Sequence, residues 1–99
     1  MTEIVWEFEV ARDRVEDFEK HYSPDGTWVE LFRRDPAYRG TTLLRDREHP
    51  TRYVTIDRWI DLESYEAFRV EYAKDYERID VQMERLTVAE KRIGVFESL

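Results

Sequence analysis

The sequence predicts an α+β domain of ferredoxin-like βαββαβ order, a four-stranded antiparallel sheet with its helices on one face. Three observations carry this. The chain opens on an alternation of apolar and polar residues, two later segments step by three and four residues, and two stretches rich in β-branched and aromatic residues flank a short turn between them. A chain of 99 residues reads as one domain, residues 1–99, and at that size a partner subunit adds useful burial.

The first strand is set by Ile4, Trp6, Phe8 and Val10, which alternate with Glu7 and Glu9 to give one strongly apolar face on which Trp6 is expected to be packed. Val15, Phe18 and Tyr22 then define a helix, which "SPDG" at residues 23–26 stops. A short second helix follows. Thr27 and Glu30 have the spacing of a capping box, Trp28, Leu31 and Phe32 share a face, and Pro36 disfavours helix at Asp35. "YRGTTLLRD" and "TRYVTIDRWI" flank "REHP" and read as a hairpin, strands two and three. Asp61 can cap one long helix whose stripe runs Tyr65, Phe68, Tyr72, Tyr76, Ile79, Met83 and Leu86, and "TVAEKRIGVFES" closes the sheet as strand four. Strand three carries Val54, Ile56 and Ile60 on one side and Tyr53 and Trp59 on the other. Neither side suits water, so an identical subunit is expected to cover the face that the helices leave open.

Composition narrows the function. The 41% hydrophobic and 14% aromatic fractions support a packed core, while 39% charged residues point to a well-solvated exterior. There is no cysteine, which excludes disulfides, thiolate metal sites and a cysteine nucleophile. A net charge of −7 opposes nucleic acid. The seven arginines between Arg33 and Arg58, set against four acids, read as a solvated hairpin face, with an anion-binding edge as the alternative. No apolar run reaches the roughly 20 residues that cross a bilayer, and "MTEIVWEFEV" lacks the basic and apolar regions of a leader, so no membrane partner and a cytoplasmic location are expected. Gly26, Gly40 and Gly94 stand alone, which leaves no nucleotide-binding loop, and no His/Glu spacing suggests a metal.

"WEFEV", "DGTWVELFRR", "TIDRWIDLESYEAF" and "IGVF" together resemble the antibiotic biosynthesis monooxygenase-like domains, a family of dimeric α/β barrels in which two ferredoxin-like sheets pack face to face. The resemblance covers nearly the whole chain. It implies a ligand cavity between sheet and helices, lined by a tryptophan late in strand three, here Trp59. It also implies a hydrogen-bonding residue four positions earlier, where the family's oxygenases carry asparagine and this chain carries Thr55. The haem-degrading members use a histidine on the second long helix. Residues 62–86 contain none, so no haem and no other cofactor is expected.

Without the family, Trp59 reads as a core aromatic. With it, Trp59 joins Tyr53, Thr55 and Asp57 on one strand face as a candidate pocket wall, the mixture of rings and polar groups that a small-molecule site needs. Tyr22, Trp28, Phe32, Tyr72 and Tyr76, on the helical faces turned to the sheet, are the other candidate binding residues. The candidate bases are Asp57 and His21. An ion pair for Asp57 and a favourable helix C-terminus for His21 are the structural alternatives. The expected activity is a cofactor-free monooxygenase for a small aromatic, phenolic or quinol-type molecule. The alternative is a non-catalytic dimeric module that binds a small hydrophobic ligand or serves in assembly.

Overall fold

The computed structural model describes residues 1–99, and its elements follow the expected order. They are β1 (Thr2–Val10), α1 (Val15–Tyr22), α2 (Thr27–Phe32), β2 (Tyr38–Arg45), β3 (Arg52–Trp59), α3 (Leu62–Glu71), α4 (Ala73–Met83) and β4 (Thr87–Glu97). Single 3-10 turns at Arg12–Arg14 and Glu84–Leu86 precede α1 and β4. The strands lie in the order β2-β3-β1-β4, every neighbouring pair antiparallel, which is the ferredoxin-like arrangement. No helix is long and apolar enough to cross a membrane.

Register fixes which residues meet the helices. Thr2, Ile4, Trp6 and Phe8 of β1 stand opposite Trp59, Asp57, Thr55 and Tyr53 of β3, so the odd-numbered residues of β3 share the helix-covered face. There Ile4, Phe8, Val10, Tyr53 and Trp59 pack with Phe18, Leu31, Phe68, Ile79, Met83 and Leu86 into one apolar core. The other face carries Val5, Val54, Ile56, Leu44 and Phe96, the last two about half exposed at 48% and 49%. Ion pairs run along it, from Arg58 to Glu3 at 3.0 Å and from Arg52 to Glu7.

Three local expectations meet different outcomes. Asp61 does cap α3, its carboxylate accepting from the Ser64 amide at 2.8 Å. The capping box at Thr27 does not form. Gly26 is the N-cap of α2, and the Thr27 hydroxyl pairs with His21 Nδ1 at 2.7 Å instead. The long helix is two helices. Tyr72 leaves helical geometry (φ −105°, ψ 25°) between α3 and α4, although its amide still reaches the Phe68 carbonyl at 2.9 Å. No glycine or proline marks the break, and the inward stripe continues through it with Tyr72 and Tyr76 partly buried, so periodicity alone reads one helix.

Candidate functional site

Close packing of the sheet against its helices is interrupted by a cavity of about 160 Å³ that opens to solvent. Its walls are rings supplied by four elements: Trp6 and Phe8 from β1, Tyr22 from α1, Trp28 and Phe32 from α2, and Tyr76 from α4. Its polar lining comes from Thr41 on β2, Thr55 and Asp57 on β3, Arg69 on α3, and the carboxylates Asp80 on α4 and Glu90 on β4. Apolar walls with a few convergent polar groups are the usual build of a small-molecule pocket.

Asp57 is the most perturbed carboxylate in this lining. Burial pushes its carboxyl up to about 6, against the opposing pull of the Thr41 hydroxyl and the Arg58 charge. Thr41 Oγ1 donates to Asp57 Oδ1 at 2.6 Å. A carboxyl that titrates near neutrality inside an aromatic cavity can take up and release a proton at ordinary pH. Burial likewise pushes the Tyr22 and Tyr76 phenols above their usual range, which keeps both protonated. Glu90 is pushed up by burial and by the neighbouring charges of Asp80 and Glu84.

Arg69 is the cation of the cavity. Its guanidinium carbon lies 3.8 Å from the centroid of the Tyr76 ring, and its Nη1 donates to the Tyr65 hydroxyl at 3.0 Å. No carboxylate forms an ion pair with it, in contrast to Arg33, Arg34, Arg45, Arg52, Arg58 and Arg78. The ring contact and the single bond to Tyr65 hold the guanidinium in place and leave donors free for an anionic or electron-rich oxygen.

The structure gathers six of the ten sequence candidates around the cavity: Asp57, Thr55, Tyr22, Trp28, Phe32 and Tyr76. Four stand away from it. Trp59 is fully buried and plugs the core, its ring edge-on to Phe32, Tyr38 and Tyr65 and 4.9 Å from Phe68. Its indole Nε1 has no acceptor. Tyr53 lies beneath α1, 4.9 Å from the Phe18 ring, with its hydroxyl donating to Glu19. Tyr72 sits at the helix break, 5.0 Å from Phe68 and below the Arg34 guanidinium. His21 is engaged by Thr27 at the joint between α1 and α2.

For Trp59 the sequence expectation is therefore corrected. Sharing a strand face with Thr55 and Asp57 is not sharing their surroundings, because rings of α2, α3 and β2 close over the Trp59 end of β3. Trp6, expected in packed core, is only partly buried and forms cavity wall. Arg69 and Thr41, both in the cavity lining, belong to no motif in the sequence. Arg69, four residues after Tyr65 and seven before Tyr76, lies on the flank of the helical stripe, and that spacing was the available signal.

The fold and cavity together define a ferredoxin-like α+β domain with an aromatic pocket between sheet and helices. Within that class, the chain belongs to the antibiotic biosynthesis monooxygenase family, whose model matches residues 1–71. No curated protein matches the chain in sequence. Among solved structures it is similar to SnoaB from Streptomyces nogalater, a cofactor-independent oxygenase. Identity there is 21% over 99% of this chain and 92% of that one, with a TM-score of 0.80. It is also similar to PA3566 from Pseudomonas aeruginosa (17% identity, 99% and 93% coverage, TM-score 0.74). A protein from Nitrosomonas europaea assigned to the same family gives 18% identity, 100% and 99% coverage and a TM-score of 0.76. At these identities the likeness establishes the fold alone.

Proposed function

We propose that the protein is a cofactor-independent monooxygenase acting on a small phenolic or quinol-type aromatic molecule. The observation that carries this is the pairing, in one aromatic cavity, of a carboxyl that titrates near neutrality with an arginine that has no carboxylate partner. Membership of the family and the likeness to SnoaB support it. In this reading the ionised Asp57 removes an acidic proton from the ring-bound CH₂ or hydroxyl. Arg69 then stabilises the resulting anion by charge and hydrogen bonding. The electron-rich anion passes one electron to dioxygen, the two radicals combine at carbon to a peroxide anion, and Asp57 returns its proton to give the hydroperoxide. For a ring CH₂ the peroxide loses water to leave a carbonyl, so one oxygen atom enters the product and the other leaves as water. Trp6, Trp28 and Tyr76 hold the ring, and Thr55 offers a hydroxyl to a substrate oxygen. A volume of about 160 Å³ suits one aromatic ring, so a larger ring system would extend through the open mouth.

The test is oxygen uptake, with the visible spectrum, on a panel of anthrones and hydroquinones. Wild-type protein is expected to consume oxygen, and Asp57→Asn to lose at least about a hundredfold of the rate. Equal rates in the two proteins would overturn the assignment of Asp57. No uptake on any member of the panel would favour the second reading, a non-catalytic dimeric module that binds a small hydrophobic molecule, for which the specific observation is Thr55 in place of an asparagine. Either reading includes a homodimer assembled through the sheet face that the helices leave open.

A further inference from the structure

Tyr38 and Thr41 are three residues apart on β2, and in a regular strand an odd separation places side chains on opposite faces. Here both lie on the helix-covered face. Tyr38 pairs with Trp59 and Gly40 with Arg58, so Arg39 is an extra residue, and the ladder resumes at Thr41 opposite Asp57. Gly40 takes φ +117°, which L side chains rarely adopt, and nothing lies within 4 Å of where its Cβ would be. The glycine is there for the backbone conformation and not for lack of space.

The bulge brings three oxygens into line. The Tyr38 hydroxyl is 2.5 Å from Thr41 Oγ1, and Thr41 Oγ1 is 2.6 Å from Asp57 Oδ1. Thr41 has one hydroxyl proton. While it is given to Asp57, the Tyr38 hydroxyl must be the donor of the other bond. Two successive donors therefore point at the Asp57 carboxylate. The Tyr38 ring is itself fixed by an edge contact with Trp59 at 5.4 Å and a tilted contact with Phe32 at 5.5 Å, which makes the core plug the backstop of the chain.

We infer that Tyr38 and Thr41, brought to one face by the Gly40 bulge, are positioning residues that aim the Asp57 carboxylate and hold it ionised in the cavity. The inference rests on the reading of Asp57 as the base. Other charged and titratable groups reach Asp57 less directly. Tyr76 of α4 is protonated, and Arg58 is engaged on the opposite face by Glu3 and Thr42. Arg69, Asp80 and Glu90 line the same cavity from α3, α4 and β4. Only the Thr41 hydroxyl bonds directly to the carboxylate.

The test is a titration of the Asp57 side-chain carboxyl by carbon-13 NMR in wild type, Thr41→Val, Thr41→Ser and Tyr38→Phe, with near-ultraviolet circular dichroism as the check of native packing. Thr41→Val is expected to raise the Asp57 midpoint by about one pH unit, a tenfold gain in proton affinity, because the charged form loses its donor. Thr41→Ser should restore the wild-type midpoint, and Tyr38→Phe should raise it by a smaller amount. An unchanged midpoint in natively packed Thr41→Val, or a serine that fails to restore it, would overturn the inference. If Thr41→Val loses native packing, the serine and phenylalanine variants decide by the same comparison. The measurement needs no substrate, so a wild type inactive on every anthrone and hydroquinone would bear on the proposed activity and leave the titration to judge the hydrogen-bond chain.

Discussion

Trp59 and Trp6 occupy the same face of the same sheet and should respond to truncation very differently. Trp59 is fully buried among four rings, so Trp59→Ala leaves a cavity that the core cannot fill, at a cost of about 3 to 5 kcal/mol. Trp6 borders existing open space, and Trp6→Ala should cost only about 1 to 2 kcal/mol. Chemical denaturation of both variants checks the order, which an equal loss would refute. Asp57 gives a prediction in pH. Its folded-state value of about 6 lies above the ordinary 3.8, so between roughly pH 4 and 6 the unfolded chain has given up a proton that the folded chain still holds. Stability contributed by the neutral carboxyl is present at low pH and is lost as pH rises through that window. Asp57→Asn should therefore match wild type near pH 4 and exceed it above about pH 6, by about 1 to 3 kcal/mol, in denaturation curves taken across pH.

At the scale of elements, the joints decide more than the elements do. A Cβ at Gly26 would lie 2.4 Å from the His21 carbonyl oxygen, so Gly26→Ala must push apart α1 and α2, the helices that carry Tyr22, Trp28 and Phe32 into the cavity wall. It should cost about 1 to 3 kcal/mol in chemical denaturation. The strands and the hairpin were legible in the sequence because period two survives in Ile4 to Val10 and in Tyr53 to Trp59, and because the sheet has one apolar core to serve. The break at Tyr72 was not, since a helix can leave helical φ/ψ at one residue without disturbing a three-and-four stripe. Cavity membership was legible only in part. Tyr22, Trp28 and Phe32 could be placed on the inward face of their helices, but whether Trp59 or Trp6 stands at open space depends on where those helices cross the sheet. That crossing is set by packing between elements far apart in sequence, such as α2 against α4 and α3 against β3. The Gly40 bulge left a readable trace, a glycine interrupting a strand pattern, though the glycine alone does not say which side chains the bulge brings together.

For the whole molecule, the open sheet face decides the solution state. Leu44 and Phe96 are half exposed there beside Val5, Val54 and Ile56, while the arginines of the same face are matched by glutamates of the same chain. Covering such a face leaves those arginines paired. Light scattering at micromolar concentration is expected to give twice the 12.1 kDa mass of the chain, and the unfolding midpoint should rise with protein concentration. A single 12.1 kDa species with a concentration-independent midpoint would refute the dimer. The separation of plug from wall reaches further. Trp59, Phe18, Phe68 and Leu86 are fully buried and take no part in the cavity lining, whereas Trp6, Thr55 and Tyr76 line it. Mutational drift at the lining can thus alter what fits inside while the scaffold keeps its margin against unfolding. Directed evolution of this chain toward new ligands should tolerate simultaneous changes at Trp6, Thr55 and Tyr76 that it would not tolerate at a single position of the plug.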